Sequence, residues 1–263
     1  MYIDLYYLII DEGQYVCQKM YFCKMASKNF QFKQFIVSHE HCAMKVGTDG
    51  VLLGAWANVD QAARLLDLGT GSGLIALMLA QRSNGSIDAI DIDEGACRQA
   101  RSNVENSPFR KRIQVIHSSL QAFTPNKRYD RIVCNPPFFS RSLKSPDVGR
   151  TVARHNESLP FEVLLARSAS LLLPDGILSV IIPFDAYEEF HATAIRNGLH
   201  PTRKTTVRPM PQKPPKRLLL EYSPSTDDEK KSTDSELVVE LERHVYSNEY
   251  IQLTKEFYLK NYE

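Results

Sequence analysis

Asn135-Pro136-Pro137-Phe138 sets two hydrogen-bond acceptors and a flat ring in four consecutive positions. The two prolines fix the backbone and remove two N–H donors. What remains accepts: the Asn135 side-chain carbonyl and the Pro136 backbone carbonyl. Such a pair suits an exocyclic amine with two hydrogens to give, and Phe138 offers a face on which a planar ring can stack. Upstream lies a second constellation, Asp67-Leu68-Gly69-Thr70-Gly71-Ser72-Gly73, between a predicted strand and a predicted helix. Gly69, Gly71 and Gly73 let the backbone turn tightly and approach a ligand with no Cβ in the way. The spacing is Gly-x-Gly-x-Gly, not the Gly-x-Gly-x-x-Gly of dinucleotide-binding loops. Asp91 stands twenty residues beyond Gly71, at the end of the next predicted strand, where a carboxylate can accept from both hydroxyls of a ribose. Asp93 points the same way along a strand, and its position also suits the cap of the following helix.

These loops need a sheet to hold them. Strand-like and helix-like runs alternate along the chain. Arg64–Leu68, Ile87–Ile92, Ile113–His117, Asp130–Cys134 and Ile177–Pro183 read as strands. Leu74–Gln81, Glu94–Asn106, Phe161–Leu173 and Ala186–Asn197 read as helices, the third stopped by Pro174-Asp175-Gly176 and the fourth by Gly198. That order predicts an α/β fold with an open, mostly parallel sheet and helices on both faces. Ligands of such sheets bind outside the carboxyl ends of the strands, where both loops fall. Thr202–Arg208 and Leu218–Tyr222 read as a hairpin across the basic, proline-rich link 209–217, closing the sheet with an antiparallel strand. Ser223–Ser235 reads as a polar loop, Glu236–Leu241 as one more strand and Tyr250–Lys260 as a final helix.

The chain has 263 residues, 43% hydrophobic and 24% charged, with a net charge of +1. Disordered and fibrous classes are excluded, as is a bulk polycation. Charge is nonetheless uneven. Residues 98–154 hold twelve Lys and Arg against three acids, and residues 198–220 hold six and no acid. Residues 221–242 hold eight acids against two lysines. The two basic stretches would hold a polyanion through its phosphates. Five cysteines with no Cys-x-x-Cys pair predict reduced, mostly buried thiols and neither a disulfide framework nor a structural zinc. His39, His41, His117 and His155 show no metal-ligand spacing, so no metal is expected. Trp56 and the tyrosines of the final helix read as core. No apolar run approaches the ~20 residues of a membrane span. The first 28 residues, with Met20 and Met25 inside them, read as an extension or a misassigned start, and 29–263 as a single domain.

The Asp67–Gly73 loop resembles the cofactor loop of Rossmann-like, class I S-adenosylmethionine-dependent methyltransferases. Asn135–Phe138 resembles the catalytic motif of adenine-N6 methyltransferases, whose relatives act on glutamine amides or guanine N2. The block Lys45-Val46-Gly47-Thr48-Asp49-Gly50-Val51-Leu52-Leu53-Gly54-Ala55-Trp56, the Arg154-His155 region and the tail Tyr246–Tyr258 are similar to one bacterial family. That family is the tRNA(Val) adenine-N6 methyltransferases, which modify adenine 37 beside the anticodon. The similarity runs from about Phe32 to the end of the chain. It implies a Rossmann-like fold with a seven-stranded, mostly parallel twisted sheet carrying one antiparallel strand. It implies S-adenosyl-L-methionine as methyl donor and the anticodon region of a cytoplasmic tRNA as substrate; separately, a monomer with no obligate protein partner is expected.

Carried onto this sequence, the resemblance puts Asn135, Pro136 and Phe138 at the target base. It puts Asp67, Gly69, Gly71, Gly73, Asp91 and Asn135 at the cofactor, with Asp91 on the ribose, and Thr48 near its methionine end. Ser119 stands where many methyltransferases carry an acid that holds the cofactor adenine. Two alternatives stay open: a protein-glutamine N5 methyltransferase, which shares the Asn-Pro-Pro loop but usually has Tyr at the place of Phe138, and a non-catalytic, methyltransferase-like RNA-binding protein.

Overall fold

The computed structural model describes residues 8–11, 14–17, 29–38, 46–137, 159–225 and 232–259. Two short hairpins come first. Strands β1 (Leu8–Asp11) and β2 (Gln14–Cys17) pair antiparallel, as do β3 (Asn29–Gln31) and β4 (Ile36–Ser38). Helix α1 (Thr48–Trp56) leads into the alternating part: β5 (Arg64–Leu68), α2 (Leu74–Arg82), β6 (Ser86–Asp91), α3 (Glu94–Glu105), β7 (Ile113–His117) and β8 (Tyr129–Cys134). After the undescribed segment come α4 (Phe161–Leu171), β9 (Leu172–Pro183), α5 (Tyr187–Arg196), β10 (His200–Arg208) and β11 (Arg217–Ser223). The chain then adds β12 (Thr233–Val238), β13 (Glu240–Glu242), β14 (Val245–Tyr246) and α6 (Asn248–Thr254).

The main sheet has the order β12-β10-β11-β9-β8-β5-β6-β7. Strand β11 runs against its neighbours β9 and β10, and every other pairing is parallel. This is the expected α/β class with its one antiparallel strand, and it carries eight strands where seven were expected. The eighth is β12, which starts inside the stretch read as the loop Ser223–Ser235. The strand read over Glu236–Leu241 is thus displaced to 233–238, and its first residues read as loop because an edge strand with one packed face is mostly polar: of its six residues only Leu237 is buried. Its acids instead meet bases on β10, Asp234 at 2.7 Å from Lys204 and Glu236 at 2.8 Å from Arg208.

Helix α4 also departs from the expected 161–173. It ends at Leu171, and β9 begins at once. Leu172 pairs with Tyr129 and Ile177 with Arg131, so Pro174-Asp175-Gly176 forms a bulge within the strand and not a helix stop. At Gly176 a Cβ would come within 3.0 Å of the Leu173 and Tyr129 carbonyl oxygens, so only glycine fits. Helix α6 starts earlier than the expected Tyr250 because Ser247 caps it, its Oγ accepting from Tyr250 N at 3.1 Å.

Two cores flank the sheet. On one face Val51, Leu52, Leu77 and Met78 of α1 and α2 pack with Phe32, Phe35, Tyr250 and Phe257. On the other, Leu164, Leu165 and Phe190 of α4 and α5 cover Ile132, Leu178 and Val180. Trp56 belongs to the core as expected: it is buried, its indole N–H donates to Thr205 Oγ1 at 3.0 Å, and the Arg203 guanidinium sits 3.7 Å over its ring. Arg203 in turn forks onto the buried Glu221, at 2.8 and 2.9 Å. Among the described residues no helix is long and apolar enough to cross a membrane.

Candidate active site

Strand order reverses between β5 and β8, which opens a crevice at their carboxyl ends. Leu68 is in register with Ile90 on one side and with Cys134 on the other. Gly69, Asp91 and Asn135 therefore leave three adjacent strands side by side. The sequence pattern dictates this: apolar runs on β5, β6 and β8 bury both faces, and each ends where polar or glycine residues begin.

The glycine loop is held by its own backbone. Gly69, Gly71 and Gly73 have φ of 69°, 55° and 81°, the left-handed region that favours glycine. Gly69 N and Thr70 N both donate to Ile90 O, at 2.9 and 3.0 Å. Gly71 N donates to Asp91 Oδ2 at 2.8 Å. A Cβ on Gly69 or Gly71 would meet nothing within 4 Å, so the loop presents bare backbone to open space.

Of the two aspartates, Asp93 is the helix cap. Asp93 Oδ1 accepts from Gly95 N at 2.6 Å and Ala96 N at 3.2 Å, capping α3. Asp91 accepts one backbone N–H on each oxygen, from Gly71 and from Asp93. Each oxygen keeps capacity for a further donor. Asp67 is fully buried at the loop's base. Thr70 Oγ1 and Ala76 N donate to its Oδ2, at 2.6 and 3.1 Å, while Oδ1 is buried with no partner among the described residues.

Burial pushes the Asp67 carboxyl up to about 7, against the pull of the Thr70 and Ala76 hydrogen bonds and with a further push from Asp91. A raised folded value means the folded state binds the extra proton between about pH 4 and 7. The stability of the free protein therefore falls as pH rises through that window. Asp67→Asn is expected to flatten this decline, read as the difference in denaturant midpoint between the two proteins from pH 4 to 8. A wild-type midpoint that tracks the variant's across the window would refute it.

Asn135 is partly exposed beside this loop, Pro136 is buried and Pro137 exposed. Phe138, His39, His41 and the Arg154-His155 region lie outside the described residues. Thr48 begins α1, and the first turn of that helix lies against the end of the glycine loop: a Cβ on Gly50 would be 3.1 Å from Leu74 Cδ2. Thr48 lines a neighbouring cleft of about 710 Å³ with Asp49, Met210, Lys213 and Arg217. Ser118 N donates to Asp91 O at 2.9 Å, and Ser119 Oγ accepts from Ala122 N at 3.2 Å. Ser119 thus stands beside Asp91, with its hydroxyl closing a turn. His117 is bonded to Ile92 O at 2.9 Å, a structural contact. Cys97 and Cys134 are buried free thiols, and burial pushes both upward, away from thiolate chemistry. A second cleft, of about 740 Å³ between residues 59–63 and 82–85, opens on the opposite, amino edge of the sheet and holds none of the expected site residues.

Sequence reasoning missed Asn103. Its buried side chain donates from Nδ2 to Ser38 O and Ser72 O, both at 2.8 Å, and accepts at Oδ1 from Ser38 N at 3.0 Å. One amide so ties α3 and the second hairpin to the glycine loop. A signal was present: Gln99 and Asn103 fall on the buried face of α3 among Ala96, Ala100 and Val104.

Taken as a set, the crevice is rich in acceptors: a buried carboxylate oxygen without a partner, the spare capacity of Asp91, and the Asn135 and Pro136 carbonyls. It fits a ligand carrying ribose hydroxyls and positive charge, which S-adenosylmethionine is. Similar proteins agree. Residues 42–183 match the family model described as the methyltransferase small domain. The fold is similar to a solved predicted O-methyltransferase from Agrobacterium tumefaciens, at 19% identity with a TM-score of 0.65, covering 80% of this chain and 96% of that one. A glycopeptide N-methyltransferase solved with S-adenosylmethionine gives a TM-score of 0.51 at 14% identity, covering 68% of this chain and 99% of that one. The sequence is 52% identical to a tRNA1(Val) (adenine(37)-N6)-methyltransferase of Parabacteroides distasonis, over 90% of this chain and all of that one. The relative of the same name in Trichodesmium erythraeum is 46% identical, over 90% of this chain and all of its own. Glycine loop, acceptor pair, sheet order and full-length similarity converge: this chain belongs to the tRNA1(Val) (adenine(37)-N6)-methyltransferase family of S-adenosylmethionine-dependent methyltransferases.

Proposed function

We propose that this protein transfers a methyl group from S-adenosylmethionine to N6 of an adenine in tRNA, adenine 37 of tRNA1(Val). The observation that carries the reading is the Asn135-Pro136 acceptor pair one strand away from the glycine loop and two from Asp91. When bound, S-adenosylmethionine supplies a sulfonium methyl open to attack by a nitrogen lone pair. Asp91 accepts from the ribose hydroxyls, and the bare backbone at Gly69 and Gly71 allows close approach. Asp67 holds the loop through Thr70 and Ala76. Thr48 lies toward the methionine end.

Adenine N6 is a poor nucleophile because its lone pair is delocalised into the ring. Asn135 Oδ1 and Pro136 O accept hydrogen bonds from its two N–H groups, which favours the pyramidal amine and offsets the positive charge that develops on attack. Fixing N6 in line with the methyl supplies the rest as positioning. The proton shed by N6 passes to water, since neither carbonyl is a base. Phe138 stacks on the base. A base inside a stack cannot enter such a crevice, so the target leaves its neighbours or sits in a loop, as nucleotide 37 does. A cytoplasmic site of action follows from the substrate.

The test is transfer of labelled methyl into tRNA lacking the modification, followed by nucleoside analysis. Label in N6-methyladenosine of a valine tRNA is the expected result. Label only in protein would replace the reading with glutamine methylation. No cofactor binding by calorimetry would replace it with a non-catalytic RNA-binding protein.

A further inference from the structure

The six bases of residues 198–220 look, in sequence, like one polyanion-binding run. Folding neutralises most of it. Arg203 is paired with Glu221, Lys204 with Asp234, Arg208 with Glu236 and Arg217 with Asp49. Two of these acids come from β12, which lies parallel beside β10 with Asp234 directly opposite Lys204, while Glu221 is on β11 and Asp49 on α1. Two bases are left. Lys213 and Lys216 are exposed, and among the described residues neither ammonium has a hydrogen bond or ion pair. Both lie on the 209–216 link between β10 and β11.

That link is firmly built. Lys213 N donates to Met210 O, Arg208 Nη1 to Lys213 O, Lys216 N to Val207 O, and Phe184 N to Lys216 O. It stands at the carboxyl edge of the sheet, because Arg217 is in register with Pro183 at the end of β9. Strand β9 separates β11 from β8, so the β11 end of the link lies two strand spacings, roughly 10 Å, sideways from the end of β8 and some three residues further along the strand direction. The link forms one wall of the 710 Å³ cleft, facing Thr48, Asp49 and Leu52 of α1; Pro209, Met210 and Pro214 are its apolar part, and Glu240 lies beside Pro209. By contrast, the exposed bases Arg110, Lys111, Lys127 and Arg128 sit in the turns that lead into β7 and β8, at the opposite edge.

We propose that Lys213 and Lys216 contact the phosphates of the RNA nucleotides flanking the target base, which the cleft seats against its apolar wall. This rests on the tRNA reading and adds the surface that orients the strand. Free ammonium groups on a fixed backbone at the carboxyl edge of the sheet suit phosphates, and Arg217 is not among them, because Asp49 already holds it.

The test is tRNA binding at several salt concentrations by wild type, by Lys213→Ala/Lys216→Ala, and by Lys127→Ala/Arg128→Ala. The first pair is expected to raise Kd about tenfold near physiological salt and to lower the slope of log K against log salt by about one to two. Cofactor affinity and melting temperature stay at wild-type values, and Lys213→Arg/Lys216→Arg, which keeps the charge, restores binding. The amino-edge pair is expected to bind as wild type does. If wild type methylates tRNA while the Lys213/Lys216 alanine pair shows the same Kd and slope, the lysine site is overturned and the enzyme reading stands. If wild type neither binds nor methylates tRNA, both fall.

Discussion

Asn135→Ala is expected to lower kcat for methyl transfer by about 10²–10³ while cofactor affinity stays within about twofold. The magnitude is that of removing one preorganised hydrogen-bond partner from a transition state. The Asn135 carbonyl becomes more useful as charge builds on N6, so the loss falls on kcat more than on binding. The cofactor keeps its other anchors, Asp91 and the glycine-loop backbone, on neighbouring strands. Asn135→Asp keeps an acceptor oxygen in place and is expected to retain more activity than the alanine variant. Single-turnover rates at saturating cofactor, beside calorimetric titration of the cofactor, separate the two quantities. Equal loss of rate and of cofactor affinity would refute the division of roles.

Asn103→Leu is expected to cost about 2–3 kcal/mol of stability and roughly tenfold in cofactor affinity. Leucine preserves volume and removes every polar atom. It strands a backbone donor at Ser38 and acceptors at Ser38 and Ser72, within a packed interface. Each such orphan costs on the order of 1–3 kcal/mol when water cannot replace the partner. Ser38 is only partly buried, so water recovers some of this at the hairpin, whereas Ser72 is buried. The affinity loss follows because Ser72 lies between Gly71 and Gly73, and among the described residues Asn103 is the side chain that fixes its carbonyl. Rate at saturating cofactor should change little, which marks Asn103 as a positioning residue. Denaturant unfolding and cofactor titration read the two effects. A variant as stable as wild type with unchanged affinity would sink the idea.

The site was legible where chemistry is written in adjacent residues. The glycine spacing, the Asp91/Asp93 pair and Asn135-Pro136 each announce a local backbone shape, and the strand–helix alternation orders the strands beneath them. What stayed hidden depended on pairing across the chain. The charges of 198–220 looked free because their acids lie elsewhere in the chain, 18 to 30 residues on at Glu221, Asp234 and Glu236 and far upstream at Asp49. Pro174-Asp175-Gly176 looked like a helix stop, since a bulge and a turn use the same residues. Its meaning is fixed only by Tyr129 across the sheet. Asn103 carried a signal, a polar side chain on an apolar helix face, yet no run of sequence names its partners.

The second hairpin does not stand alone. Lys33 N donates to Phe257 O at 2.8 Å, Lys33 Nζ to Lys255 O at 2.6 Å, and Phe32 stacks with Tyr258. Lys33 and Lys255 are 222 positions apart. On a ribosome adding ~5–20 residues per second, the hairpin waits on the order of ten seconds or more for these partners. The brace that Asn103 runs from this hairpin to the glycine loop uses only Ser38, Ser72 and Asn103, but the hairpin that anchors it gains its outer contacts only then. A nascent chain can thus pair β5 to β8 and form the glycine loop well before residues 255–258 arrive to steady the hairpin end of the Asn103 brace.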